Sequence, residues 1–400
     1  MHDLFSSPGY QLYLRFLFAT LSPEAAIHAS KVLSLAMFFA SAVLLYSIGR
    51  RWFGATVGQV AAVLFLFSES WRYYCNVMQY EVLAGFLMML LLAMLTSREP
   101  ARSTTVAAGY DIAIGSVLAF LCILQSRYAV LLALPLAHSW LVRDERMPRN
   151  LRRSAVILAV AFALLGAWVF IQSVNQGRMI PLQSGGSFRM RIGNNPNAMG
   201  YSFPLPAIVE PSGWRFVYSM PVRWTWLVGQ RALYLFGIKR DSWALPPVGF
   251  GSGPVGSYSM WNFIAATILA AGLALAIIRA PRKELGPEFV TGIVLLAGVT
   301  LPPLLLFGSE RFIVPVMPVM ALFQAYALVS CVEAFRARQW INLEARPAPT
   351  FALAASLCAA LLGAIYVSYR SANIAVSNAP DIKSVIARIS LQLEFAHRDN

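Results

Sequence analysis

Charge is scarce in this 400-residue chain, and acid scarcest: 18 Asp and Glu stand against 32 Lys and Arg, and charged residues make up only 12% of the whole. With 58% hydrophobic residues and a mean hydropathy of +0.61, there is too little polar surface to coat a globule of this length. That excludes an ordinary soluble domain. Cysteine is equally thin: Cys122, Cys331 and Cys358 lie within apolar runs and Cys75 stands alone. No disulfide framework or CxxC metal spacing results. The scattered histidines His2, His28, His138 and His397 form no ligand pattern, so no dedicated metal site is expected. The first 29 residues also lack the basic head, continuous apolar stretch and small-residue cleavage site of a signal peptide.

What the chain has instead is long apolar runs. They cover roughly 33–48, 56–67, 82–95, 112–124, 128–142, 155–171, 263–278, 290–307, 312–332 and 351–369. Arginine recurs in every second gap between them, as Arg50/Arg51, Arg98/Arg102, the Arg143 to Arg153 cluster, Arg279/Arg282/Lys283 and Arg336/Arg338/Arg346. Positive charge resists translocation, so these five gaps are read as cytoplasmic. They hold fifteen of the 32 basic residues, which explains the net charge of +14 without a nucleic-acid partner. The fold expected is an all-α polytopic membrane protein of about ten transmembrane helices with one large extracytoplasmic loop, although several runs fall short of the roughly 17–25 residues of a full span. The organisation reads as an outer interfacial segment over 1–29, helices 1–6 over 30–173, an outer loop over 174–260, helices 7–10 over 261–369 and an outer tail over 370–400.

Carried back to the start, the alternation places Met1 outside, which suggests a preceding helix missing from this sequence. The patch from Leu12 to Leu21 suits an interfacial helix with Tyr10 and Tyr13 at headgroup depth. In the tail, Ile382, Val385, Ile386, Ile389 and Leu391 have helical spacing that suits a cap on the outer face. Within the outer loop, a Gly-Gly pair and the Asn194-Asn195-Pro196 turn let backbone approach a ligand closely. Arg189 and Arg191 alternate with Phe188, Met190 and Ile192 as a short strand would place them, a pattern equally read as a solvated hairpin. Further on, Trp214, Trp224, Trp226, Arg215, Arg223 and Arg231 read as an interfacial helix pair that anchors to headgroups.

Three ionisable positions stand at the outer ends of runs, where charge is costly and usually answers to function or pairing. Arg127 lies at the turn between the fourth and fifth runs, with no carboxylate near in sequence; snorkelling to the interface is its plain alternative. Glu81 opens the third run, where an acid also complements the helix macrodipole. Glu310-Arg311 reads as a local ion pair ahead of a helix kinked by Pro315 and Pro318. Together they edge an outer pocket suited to a phosphate-bearing lipid.

The order of these landmarks carries a resemblance. Ser7-Pro8-Gly9-Tyr10, Gly49-Arg50-Arg51-Trp52-Phe53-Gly54, Tyr80-Glu81, Gln125-Ser126-Arg127, Gly193-Asn194-Asn195-Pro196-Asn197-Ala198-Met199-Gly200 and Glu310-Arg311-Phe312 with Pro315 and Pro318 follow one another over residues 7 to 330. The series resembles the bacterial polyprenyl-phosphate-dependent glycosyltransferases of the C superfamily (GT-C), which include protein O-mannosyltransferase and aminoarabinose transferase relatives. The resemblance implies inverting transfer of a sugar from a polyprenyl-phosphate carrier to a hydroxyl of a cell-envelope glycan, lipid or protein. The setting implied is the outer face of a bacterial inner membrane. By position it implies phosphate contacts at Arg127 and Arg311, an acid at Glu81, and pocket-shaping by Asn194 and Asn195. The family's catalytic aspartate precedes the Pro8-Gly9-Tyr10 landmark, where Asp3 is the sole acid here. Asp3 sits closer to that landmark than the family's base would, and a solvated terminal acid is its favoured reading. The remaining expectations are membrane lipids as partners, no nucleic acid, and no cofactor beyond a divalent cation bridging Glu81 and a lipid phosphate. A non-catalytic lipid-binding or assembly subunit, or an N-terminally truncated inactive form, is the alternative if the base is absent. A transporter is disfavoured because no internal repeat with paired polar breaks is visible.

Overall fold

The structure is a computed structural model that describes residues 8–77, 79–97, 104–141, 147–177, 179, 182, 186–198, 200, 209–239, 259–279, 288–306 and 308–336. Asp3 and everything from residue 337 onward, including the tenth apolar run and the tail, lie outside the described residues.

All regular elements described are helices. In order they are α1 (Pro8–Thr20), α2 (Pro23–Phe53), α3 (Ala55–Leu66), α4 (Glu69–Asn76), α5 (Glu81–Thr96), α6 (Thr104–Leu124), α7 (Leu134–Leu141), α8 (Met147–Gln176), α9 (Gly186–Gly193), α10 (Trp214–Ser219), α11 (Pro221–Leu235), α12 (Met260–Arg279), α13 (Phe289–Leu306) and α14 (Met317–Arg336). Three 3-10 segments, Ser126–Ala133, Glu310–Phe312 and Val314–Val316, connect them. Among the described residues the first nine apolar runs fall mainly on helical backbone, and six helices are long and apolar enough to cross a membrane by themselves. A seventh span arises if α4 and α5 are taken together, and α3 is a shorter apolar helix. The run over 128–142 divides into a 3-10 segment and the eight-residue α7.

Local chemistry sets the boundaries. Ser22 caps α2, its hydroxyl accepting from the Ala25 amide, with Pro23 at the first helical position. Gly54 ends the helix at φ 100°, a conformation open to glycine, and α3 starts at the next residue. The chain folds back there, and α2 and α3 touch backbone to backbone: a Cβ on Gly49 would stand 2.8 Å from the Gly58 Cα. Small residues permit such crossings where lipid removes the usual hydrophobic drive between helices. The core between α2, α3, α5, α6, α13 and α14 is filled by Phe38, Phe65, Trp71, Met88, Leu118 and Phe323, all buried.

α1 packs its tyrosines against the bundle: Tyr10 is buried and stacks on Tyr13 at 5.4 Å, while Gly9 lies against the Leu124 backbone of α6. The helix turns its aromatic face into the bundle and leaves Leu12, Phe16 and Phe18 exposed.

The arginine rhythm has a counterpart in the contacts. Arg51, at the end of α2, donates to the Thr96 carbonyl (3.4 Å) and the Ser97 hydroxyl (3.3 Å) at the end of α5. Arg153, near the start of α8, grips both oxygens of Asp111 in α6, at 2.8 and 3.1 Å to Oδ1 and 3.3 Å to Oδ2. Arg279, ending α12, donates to Tyr326 (3.1 Å) and Ser330 (3.4 Å) of α14. Each contact joins two helix ends that the alternation assigns to one side. The opposite ends bring together Glu81, Arg127 and Arg311.

Candidate functional site

The site is built on three helix starts and turns. Glu81 is the first residue of α5, fully buried; Arg127 sits in the 3-10 segment after α6; Arg311 lies in the short 3-10 turn between α13 and α14. Trp71 of α4 fixes this last turn by donating its indole N–H to the Val314 carbonyl at 2.7 Å, and the Trp71 ring lies against Gly85 of α5.

Arg311 Nε is hydrogen bonded to Glu81 Oε1 in an ion pair linking residues 230 positions apart. This corrects the expected local pair. Neighbours in a 3-10 turn diverge, so Glu310 turns the other way: its Oε1 accepts from Ser70 Oγ at 3.2 Å, and its carboxylate lies beside Gly237. Burial works against the charge on Arg311, but the Glu81 carboxylate and Tyr80 more than offset it, raising the guanidinium above its ordinary pKa. The guanidinium also lies over the Tyr80 ring, 5.4 Å from its centroid.

Arg127 is held differently. Its Nη2 donates to the Tyr128 hydroxyl at 2.9 Å and weakly to the Tyr80 hydroxyl at 3.5 Å. Its guanidinium carbon stands 4.5 Å from the Phe312 ring centroid and 4.9 Å from that of Tyr128. Among the described residues, the other two nitrogens, Nε and Nη1, are buried without a hydrogen-bond partner, as is Glu81 Oε2. A buried donor left unsatisfied costs about 1–3 kcal/mol, more when charged. Snorkelling does not fit, because a snorkelling head reaches water. The arrangement is an aromatic-walled cationic recess with donors to spare.

The Asn194-Asn195 turn is a scaffold beside this recess. Asn195 Nδ2 donates to the carbonyls of Arg191 (3.0 Å) and Ile192 (2.8 Å), and its Oδ1 accepts from the Asn197 amide at 2.9 Å. Asn194 Nδ2 reaches the Leu305 carbonyl at 3.0 Å. Sequence reading missed the residue that locks the turn in place. Arg231 is wholly buried rather than interfacial. Nη1 donates to the carbonyls of Leu304 (3.0 Å) and Leu305 (2.9 Å), while Nη2 donates to the Gly193 carbonyl and to Asn194 Oδ1 (3.1 Å). The acceptors include the last carbonyls of α13, which have no helical partner and carry the negative end of its dipole. Burial pushes the Arg231 pKa down to about 10, which still leaves it charged at neutral pH. The signal was present: Arg231 stands four residues from both Leu227 and Leu235, on the buried ridge of α11. Gly308 completes the joint. Its amide donates to the Gly200 carbonyl at 2.8 Å, and a Cβ there would meet the Arg231 carbonyl at 2.2 Å.

Arg189 and Arg191 correct the strand expectation, since 186–193 is helix α9 and the Asn194 amide continues its bonding to Met190. Residues two apart on a helix do not share a face. Arg191 is exposed, and the Arg189 side chain lies outside the described residues. The expected pair α10 and α11 is present, with Trp214, Tyr218 and Val222 exposed and Arg223 stacked 4.1 Å from the Trp226 ring centroid. Among the described residues no three His, Cys, Asp or Glu side chains come together to hold a metal ion. Glu81, the acid expected to bridge a cation to phosphate, has one oxygen bonded to Arg311.

No family model matches the chain, and no curated protein matches it. Solved structures do. ArnT from Cupriavidus metallidurans bound to undecaprenyl phosphate is 14% identical with a TM-score of 0.49, the match covering 90% of this chain and 61% of that one. The Archaeoglobus fulgidus oligosaccharyltransferase in its apo form is 14% identical with a TM-score of 0.46, covering 91% and 47%. The archaeal oligosaccharyltransferase AglB from the same organism, in complex with an inhibitory peptide and a dolichol-phosphate, is 13% identical with a TM-score of 0.46, covering 90% and 47%. The chain thus spans less than two thirds of each.

Proposed function

We propose that this protein transfers a sugar from a polyprenyl-phosphate carrier to an acceptor hydroxyl of a cell-envelope glycan, lipid or protein, at the outer face of a bacterial cytoplasmic membrane. The observation that carries the reading is Arg127: a cation with two buried, unpartnered nitrogens, set beside the Arg311–Glu81 pair in an aromatic recess. A lipid phosphate supplies the acceptors those nitrogens lack, and fixed cations stabilise negative charge as it develops on a departing phosphate.

In the reaction the acceptor oxygen attacks the anomeric carbon from the face opposite the carrier. The bond from that carbon to the phosphate oxygen breaks, the phosphate keeps the electron pair, and the hydroxyl proton passes to a carboxylate. Glu81 is the carboxylate bonded to Arg311 in the described site, and its second oxygen, Oε2, is the atom for that proton. Asp3, the other candidate base, lies outside the described residues. Asn194 and Asn195 shape the recess from the loop side.

The engagement of Glu81 Oε1 by Arg311 favours a second reading, a lipid-binding subunit without turnover, because a carboxylate held by a guanidinium is a weaker base. The test is purified full-length chain in proteoliposomes, with a polyprenyl-phosphate carrying a radiolabelled sugar and a membrane extract as acceptor. Transfer that disappears in Arg127→Ala and Arg311→Ala supports the enzyme. Binding without transfer supports the subunit, and absence of both in the wild type overturns the proposal.

A further inference from the structure

Two guanidinium groups and one carboxylate make up the charged centre of the recess, and they are not equivalent. Glu81, fully buried at the start of α5, is committed through Oε1 to Arg311. That pair cancels internally. Among the described residues, Arg127 hydrogen bonds to the phenol oxygens of Tyr128 and Tyr80 and to no carboxylate, so its charge is not paired as that of Arg311 is. Glu310, the other carboxylate of this turn, is half-buried and directed at Ser70 and Gly237.

We propose that Glu81 selects the charge of the bound phosphate. By occupying Arg311 it leaves the recess with one excess positive charge, matched to a phosphodiester carrying one negative charge and mismatched to a phosphomonoester carrying two. The inference rests on the phosphate reading given above. Its physical basis is that charges a few ångströms apart in a partly desolvated recess interact strongly, so a second negative charge on the ligand is set against the Glu81 carboxylate. Removing that carboxylate frees Arg311 for the ligand and should shift the preference by about tenfold or more toward the doubly charged form.

The selection has a direction within the reaction. A sugar phosphodiester enters with one negative charge; once the sugar departs and the phosphate keeps the bonding pair, the spent carrier is a monoester with nearly two. Once Glu81 has passed the acceptor's proton on to water and is a carboxylate again, it opposes retention of the product, and the recess binds what it consumes better than what it leaves behind.

The experiment compares geranylgeranyl phosphate with its methyl diester, both binding to the purified full-length protein in detergent at pH 8. There the monoester is doubly charged, its second pKa being about 6. The wild type should bind the diester at least as tightly as the monoester despite its smaller charge. Glu81→Gln should tighten the monoester about tenfold relative to the diester. A wild type that favours the monoester tenfold, or a Glu81→Gln variant that moves both ligands by the same factor, overturns the proposal. Should Glu81→Gln not fold, the wild-type preference decides by itself. If the wild type binds neither lipid, the phosphate reading falls; if both bind and the preference is wrong, only the selector falls.

Discussion

Replacing Arg231 with methionine keeps most of the side-chain volume and removes a planar, charged donor serving four acceptors: the carbonyls of Leu304, Leu305 and Gly193, and Oδ1 of Asn194. Each bond from a charged donor contributes roughly 1 kcal/mol after the cost of burying an arginine without a carboxylate, so the loss should be about 4 kcal/mol. In detergent that corresponds to a melting midpoint lower by roughly 5–10 °C in a chain of this size. The damage should also be local. The Gly213 amide, which donates to Asn194, and the Gly308 amide, which donates to Gly200, report on the two sides of the joint. Their hydrogen exchange should accelerate by roughly a hundredfold, while the amides of α2 and α14 stay protected. Arg231→Lys should fall between, because three donors on one ammonium cannot satisfy four spread acceptors. A methionine variant melting within ~1 °C of the wild type, with both amides as protected as before, would refute the reasoning.

Arg127→Gln should leave the melting midpoint nearly unchanged, since it removes a buried cation with two idle nitrogens, yet lower sugar transfer by about a hundredfold or more; a radiolabel transfer assay beside a melting curve separates the two. Glu81→Ala should cost about 3–5 kcal/mol by stranding Arg311, and the double change with Arg311→Met should recover most of that loss in the same melting assay; full additivity of the two would sink the pair. Gly193→Ala should reduce the folded yield sharply, because its Cβ would stand 1.8 Å from the Leu306 carbonyl, whereas Gly229→Ala, where nothing lies within 4 Å, should be neutral or slightly stabilising. In a variant stripped of its native cysteines, an impermeant maleimide applied to intact cells should label a cysteine placed at Ser219 and not one placed at Ser97, the residue bonded to Arg51; equal labelling of both would overturn the sidedness.

Glu81, Arg127 and Arg311 were legible because charge at the end of an apolar run is costly and stands out against a sparse background. Their assignment to one side followed from the arginine rhythm. The pairing was not legible. Adjacency suggested Glu310 with Arg311, whereas a 3-10 turn points neighbours apart and brings Glu81 in from α5. Arg231 was misread for a related reason: tryptophan and arginine together resemble an interfacial surface, and the leucines four residues to either side were outweighed by that composition. The alternation of Arg189 and Arg191 imitated a strand because polar and apolar residues also alternate over one short helical stretch; backbone bonding through Met190 to Asn194 decides for helix. The division of the run over 128–142 into a 3-10 segment and α7 was not legible either, because hydropathy alone does not separate a 3-10 turn from an α-helix.

The four bonds made by Arg231 constrain motion as well as stability. Gly193, Asn194, the end of α13 and α11 share one guanidinium, and Gly308 ties the same joint to the residues just before Arg311. Loosening the loop alone would strand several buried acceptors at once, so the loop and the arginine turn must shift together as one rigid piece. On the proposed reading, a lipid headgroup arriving at Arg127 would face a wall that can swing but not unravel.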